Sequence, residues 1–182
     1  PKDAKGVVDR AVTQVVTPGT LVDEDLIGDE PASVAAVLAL GTDRFAAAAV
    51  DLSTGRFALF DGTAGSLGAW FARLGVREVL VSDGDDGSAR AAAESAGEPG
   101  LALTERAAWQ FRADEALGAL REQFAVASLE GFGLSDDDPA VPAAGAVVAY
   151  LRETQSVLAQ DAGSNEGGKW AASGGEFQGQ RR

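Results

Sequence analysis

Cysteine, histidine and methionine are all absent from the 182 residues. Without cysteine the chain has no disulfide and no thiolate to offer a metal. Without histidine as well, zinc sites, Ser-His-Asp triads and imidazole acid–base pairs are excluded within it. Lysine is scarce: Lys2, Lys5 and Lys169 are three of 15 basic residues. No phosphate loop of the form G-x-x-x-x-G-K-[ST] occurs, so nothing in the chain points to nucleotide hydrolysis. Aromatics make up 7%, which leaves Ala, Val and Leu to build the core. No apolar run approaches the length of a membrane span. The opening Pro1-Lys2-Asp3-Ala4-Lys5 is not followed by an apolar stretch, so it does not read as a secretory signal. With no initiator Met, the chain is expected to begin inside a longer reading frame.

What is there is acid and small apolar residues. The net charge is −13 and the hydrophobic fraction 46%. Such a surface repels phosphate backbones and keeps the chain soluble. Many Asp and Glu, few Lys and abundant Ala resemble the composition of proteins from salt-adapted or high-GC organisms.

The length suits one domain with extensions. Residues 6–16 are rich in Val and Thr and favour a strand. Thr17-Pro18-Gly19-Thr20 breaks it as a turn or hinge, because Pro18 fixes φ and Gly19 permits φ > 0. The acidic stretch over residues 21–31 reads as a linker. From residue 32 the chain becomes compact. Val34–Leu40, Arg44–Asp51 and Arg56–Phe60 are short apolar runs joined by tight turns, the pattern of a meander. The period then changes. Leu67, Trp70, Phe71 and Leu74 mark one helix face, with Thr63 or Ser66 as cap and Gly75 as stop. Glu78–Val81 reads as a strand, Ser88 as the cap of an Ala-rich helix, and Leu101–Thr104 as one more strand. Leu117, Leu120 and Phe124 line a helix opened by Asp114. Asp136, Asp137 and Asp138 before Pro139 announce a last helix through about Gln155. Alternating strand and helix predicts an α/β layer fold. Residues 159–182 lose all periodicity, and this tail is expected to be disordered.

Two places are candidates for chemistry. Asp51-Leu52-Ser53-Thr54-Gly55 ends a strand, where ribonuclease H-like nucleases and some phosphotransferases place a metal-handling Asp. Such an acid needs partner carboxylates on neighbouring elements. None is convincing, so Asp51, Ser53, Thr54 and Gly55 are read as a turn whose side chains bond its own backbone. Asp83-Gly84-Asp85-Asp86-Gly87 with Glu94 faintly suggests a calcium loop. The sixth position, which should be Gly, is Ser88, and a solvated acidic loop is the reading. Trp109 and Phe111 are assigned to core packing.

The words along the chain go further. Val7-Val8-Asp9-Arg10-Ala11 and Val16-Thr17-Pro18-Gly19-Thr20, Asp51-Leu52-Ser53-Thr54-Gly55-Arg56-Phe57, Arg77-Glu78-Val79-Leu80 and Trp109-Gln110-Phe111 come first. Leu129-Glu130-Gly131-Phe132-Gly133, Ala143-Ala144-Gly145-Ala146 and Tyr150-Leu151-Arg152-Glu153-Thr154-Gln155 follow. In this order they resemble the MutS family of DNA mismatch-repair proteins. The resemblance covers residues 6–158.

It implies the end of a mismatch-reading domain with its hinge over residues 1–20, a linker over 21–31, a connector domain over 32–158 and a tail outside the family pattern over 159–182. The connector of the family is a ribonuclease H-like mixed sheet with flanking helices and no nuclease activity. It links the mismatch reader to the core and presents a surface to a MutL-type partner. That surface is expected around Asp114, Arg121, Glu122, Glu130, Gly131, Phe132 and Gly133. The resemblance also implies a parent that is a cytoplasmic, nucleoid-associated homodimer binding mismatched DNA. ATP and magnesium would serve the parent through a domain not included here. No cofactor, metal or catalytic residue is expected in this chain, and no membrane partner. The alternative is a ribonuclease H-like metal nuclease or phosphotransferase using Asp51.

Overall fold

A computed structural model describes residues 33–161 and 178–181, with side-chain surroundings through residue 154. The strand and hinge expected over residues 1–20, including Thr17, Pro18, Gly19 and Thr20, lie outside the described residues, as does the linker over 21–31.

The meander forms as its turns require. Strand β1 (Ser33–Ala39), β2 (Arg44–Asp51) and β3 (Arg56–Thr63) run antiparallel in sequence. Helix α1 (Ala64–Leu74) then returns the chain to β4 (Val76–Ser82), which lies parallel to β1. Helix α2 (Ser88–Ala96) leads to β5 (Ala102–Arg106), parallel to β4. The sheet order is β5-β4-β1-β2-β3, with β2 alone reversed, which is the ribonuclease H-like mixed arrangement. A 3-10 helix (Ala108–Phe111) connects to α3 (Ala113–Phe124), a second 3-10 helix (Glu130–Phe132) follows, and α4 (Val141–Asp161) closes the domain.

Helices cover both faces, which is why the central strands read as near-continuous apolar runs and not as alternating ones. Phe45 through Val50 are all buried. Ala46, Ala48 and Val50 face the layer of α3 and α4, while Phe45, Ala47 and Ala49 face α1 and α2. Ala is a weak strand former, yet here its small side chain lets a helix lie close to the sheet. Helix α4 crosses over β1 and β2 with Val141, Ala144, Val148 and Leu151 buried.

Several local expectations change. Ser88 does not cap α2. Gly87 occupies the cap position at φ 97°, and the Asp85 carboxylate accepts from the backbone N–H groups of Gly87 at 2.9 Å and Ala89 at 3.0 Å. A carboxylate reaches the free N–H groups of the first turn better than Ser88, already inside the helix, could. At α1, Thr63 holds the cap position without its hydroxyl accepting from a backbone N–H of the helix, and Ser66 Oγ donates back to the Thr63 carbonyl at 2.9 Å. Gly75 ends that helix in the left-handed region at φ 60°, as read. Helix α4 starts later than Pro139 and runs beyond Gln155 to Asp161. In the tail expected to be disordered, Gln178–Arg181 form a strand, β6, parallel to the outer edge of β3. An open edge presents unpaired N–H and C=O groups to any extended segment, whatever its side-chain pattern. Residues 162–177 lie outside the described residues.

Gly145 marks the closest approach between helices. A Cβ there would lie 2.3 Å from Cα and Cβ of Ala116 on α3. Gly145→Ala therefore forces α3 and α4 apart. The overpacking cost of about 1–3 kcal/mol exceeds the helix-propensity gain of up to about 1 kcal/mol. A lower urea midpoint is expected for this variant, and an unchanged or raised midpoint would refute the close packing.

Candidate functional site

The Asp51 turn was the one position where the sequence offered catalysis. Asp51 Oδ1 accepts from Ser53 Oγ at 2.6 Å, Ser53 N at 2.9 Å and Thr54 N at 3.3 Å, and Gly55 N donates to the Asp51 carbonyl at 2.8 Å. Partial burial pushes the Asp51 pKa up, but the hydroxyl and N–H donors of Ser53 and Thr54 outweigh it and hold the group below its ordinary value. That oxygen is committed to the turn. Among the described residues no group of three His, Cys, Asp or Glu is placed to hold a metal ion.

The residues expected to face a partner fall into two kinds. Asp114, Glu130, Gly131 and Gly133 are exposed. Asp114 sits in the first turn of α3 and accepts from Arg112 at 2.8 Å. Arg121 and Glu122 are tied down: Arg121 donates to Asp136 at 2.6 Å, and Glu122 accepts from Arg152 of α4 at 2.8 Å. Phe132 is partly buried against Phe124, ring centroids 5.2 Å apart, and Leu129 is fully buried. The Leu129–Gly133 segment is thus anchored by its apolar side chains and shows Glu130 and Gly131 outward. It adjoins the C-terminal end of α3, whereas Asp114 lies about 15 Å away along that helix. Phe111 is buried as expected, but Trp109 is 53% exposed, because the 3-10 helix is too short to bury both rings.

A polar network that the sequence did not signal as a unit joins β4, β5, the first 3-10 helix and α4. Glu78, on β4, is only 1% exposed. Its Oε1 accepts from Tyr150 OH of α4 at 2.8 Å and from Thr104 Oγ1 of β5 at 2.6 Å. The Arg106 guanidinium lies 5.3 Å from the Tyr150 ring centroid, donates to Gln110 Oε1 at 3.0 Å and pairs with Glu153. Gln110 Nε2 donates to Glu153 Oε1 at 2.7 Å. One signal was available. Glu78 alternates with Leu80, which places an acid on the buried face of an apolar strand.

These residues belong to four separated words of the sequence: Arg77-Glu78-Val79-Leu80, Leu103-Thr104-Glu105-Arg106, Trp109-Gln110-Phe111 and Tyr150 to Glu153. The fold brings them to one place. A model of the family described as MutS domain II matches residues 32–160. The chain belongs to the MutS family. Among curated relatives, it is 35% identical over 163 residues to the DNA mismatch repair protein MutS of Myxococcus xanthus, covering 87% of this chain and 18% of that protein. It is 40% identical over 161 residues to the protein of the same name from Symbiobacterium thermophilum, covering 84% and 18%. The chain therefore spans about a fifth of the length of these relatives. No described helix of the MutS-family chain is long and apolar enough to cross a membrane.

Two expected outcomes follow from the geometry. Tyr150→Phe removes one donor to the buried Glu78 and should cost about 1–3 kcal/mol. Combining it with Thr104→Val in a double-mutant cycle should give a coupling energy clearly different from zero; strict additivity would show that the two donors do not share the acceptor. The second concerns pH. Because the folded pKa of Asp51 lies below the ordinary 3.8, its charge stabilises the fold above that value, and the contribution is lost as pH falls through the lowered pKa. Unfolding midpoints of wild type and Asp51→Asn, measured from neutral to strongly acid pH, should differ most at neutral pH and converge in acid. A gap that widens in acid would mean that the shift has the opposite sign.

Proposed function

We propose that this segment is the non-catalytic connector of a mismatch-repair protein, joining the mismatch-reading domain to the core and offering a surface to a MutL-type partner. The observation that carries the reading is the match to MutS domain II across residues 32–160. In this reading mismatched DNA is bound and ATP is hydrolysed, with magnesium, by other domains of a homodimeric parent. The parent acts in the cytoplasm at the nucleoid. The connector transmits position. Its helices α3 and α4 are clamped together by Arg152 bonding both Glu122 and Gln123, so that a partner seated on the outer side of α3 would contact a rigid element.

The partner surface in this reading is the exposed side of α3 from Asp114 together with the Glu130–Gly133 segment. Both elements are acidic and outward-facing, which favours a basic patch on the partner. The nuclease alternative gains nothing from the Asp51 geometry, because Oδ1 is held by the turn.

The test uses the full-length parent protein carrying this segment. Asp114→Lys with Glu130→Lys should weaken MutL-type binding by about tenfold or more, roughly 1.4 kcal/mol, with mismatch binding and ATP hydrolysis retained. Unchanged partner affinity would remove the surface assignment. In parallel, the 182-residue chain should show no metal-dependent cleavage of an RNA–DNA hybrid; cleavage abolished by Asp51→Ala would replace the connector reading with the nuclease.

A further inference from the structure

Within the MutS domain II match, which ends at residue 160, β3 and β5 are the outer strands of the sheet. The structure nevertheless seats Gln178–Arg181 along β3, parallel and in register from Ala58 opposite Gln178 to Asp61 opposite Arg181. The edge is thus filled by a segment that the matched domain does not supply. Main-chain pairing of this kind is indifferent to most side chains, so an edge that accepts one extended segment accepts others. What selects among them is the surface beside the edge.

That surface is an open groove of about 890 Å³ between the end of β3 and helix α1. Phe60 and Trp70, both buried with ring centroids 5.4 Å apart, line its apolar part. Ser66 and Arg73 of α1 line its rim and are exposed. Two donors here are unmet. Trp70 Nε1 is buried without a hydrogen-bond partner, whereas a buried indole N–H usually finds one. Arg73 forms no ion pair among the described residues, while Arg44, on the same groove, is paired with Asp61 at 2.5 Å. Cross-strand neighbours point to the same face of a sheet, so a guest residue in register with Phe60 sends its side chain towards α1.

We propose that the β3 edge and this groove form a docking site for an extended segment of a partner polypeptide. The segment adds as a strand parallel to β3, and an acidic side chain in register with Phe60 reaches the Arg73 guanidinium, a match of charge that favours glutamate or aspartate over lysine. Gln178–Arg181 is the occupant that it displaces. Being tethered, that occupant competes at a high effective concentration, which keeps the edge covered until a better-matched segment arrives. The site lies on the α1 and α2 face of the sheet, opposite the α3 and α4 layer. It is therefore separate from the surface assigned to the MutL-type partner and does not rest on that reading.

The probe is a fluorescein-labelled peptide of alternating valine and threonine with one central glutamate, and its counterpart with lysine in that place. Each is titrated by fluorescence anisotropy into the full 182-residue chain and into the same chain carrying Gly179→Pro with Gln180→Pro. Adjacent residues of a strand send their N–H groups to opposite sides, so one of the two substitutions removes a ladder bond in either frame. Saturable binding is expected, about tenfold tighter to the doubly substituted chain, where the tethered competitor is weakened. The glutamate peptide should bind about fivefold tighter than the lysine peptide, the scale of an exposed charge contact. Arg73→Glu should reverse that order, an outcome that misfolding cannot produce. Amide resonances of Phe60, Asp61 and Arg73 should shift on binding. Absence of saturable binding to the doubly substituted chain, equal affinity of the two chains, an order indifferent to Arg73→Glu, or shifts at Asp114 and Glu130 instead overturns the proposal.

Discussion

Burying an acidic side chain in the middle of a sheet is costly unless its oxygens find donors. Glu78 imposes that constraint here. Its Oε1 needs the hydroxyls of Tyr150 and Thr104, and these come from α4 and β5, elements that the chain reaches long after β4. The bond from Tyr150 therefore sets the position of α4 along its own axis, because sliding the helix by one residue would withdraw the phenol. Packing alone would not choose that register so sharply. The inward face of α4 is mostly Ala and Val, and small side chains resemble one another when a helix slides over them.

From that anchor the remaining geometry is steric. Gly145 brings α4 against Ala116, and the pair of helices then covers the Ala46, Ala48 and Val50 face of the sheet. The other face is closed by Leu67, Trp70 and Phe71 of α1 and by the alanines of α2. With few aromatics available, the core is thin, and short distances between layers replace bulk. Close layers also explain why the polar residues of the rim are engaged with one another. Arg152 reaches Glu122 and Gln123 across the α3–α4 seam, and Arg121 reaches Asp136. Each exposed pair adds little by itself, but together they fix the outer helix on the inner one.

The family words acquire a physical meaning in this arrangement. Glu78, Gln110, Tyr150 and Glu153 are far apart in the chain and adjacent in the fold. The Asp51-Leu52-Ser53-Thr54-Gly55 word serves a different end, shaping the β2–β3 turn through its own hydrogen bonds. Membership of the MutS family is accordingly legible both as an order of short words and as a set of contacts, whereas a reading from composition alone stops at an acidic α/β domain.

Strand and helix identity was readable from local signals because those signals are local in cause. Period 2 against period 3.6, Gly75 at a left-handed stop and the Asp51 turn each depend on a few neighbouring residues. The β1–β2–β3 meander and the face of α1 followed directly. What distant residues decide was not readable. Asp85 displaced Ser88 as the cap of α2, since a side chain three residues upstream could fold back over the helix start. Phe132, expected as part of a partner surface, packs its ring against Phe124, and Leu129 beside it is fully buried. Trp109 turned outward where core packing was expected. The strand at Gln178–Arg181 arose from an open edge on β3, and edge pairing uses backbone groups that carry no side-chain pattern. Sequence by itself determined the elements, the class and the family. The tertiary structure alone decided which polar groups are buried and with whom, because a hydrogen bond between Glu78 and Tyr150, 72 positions apart in sequence, exists only once the intervening chain has been folded into place.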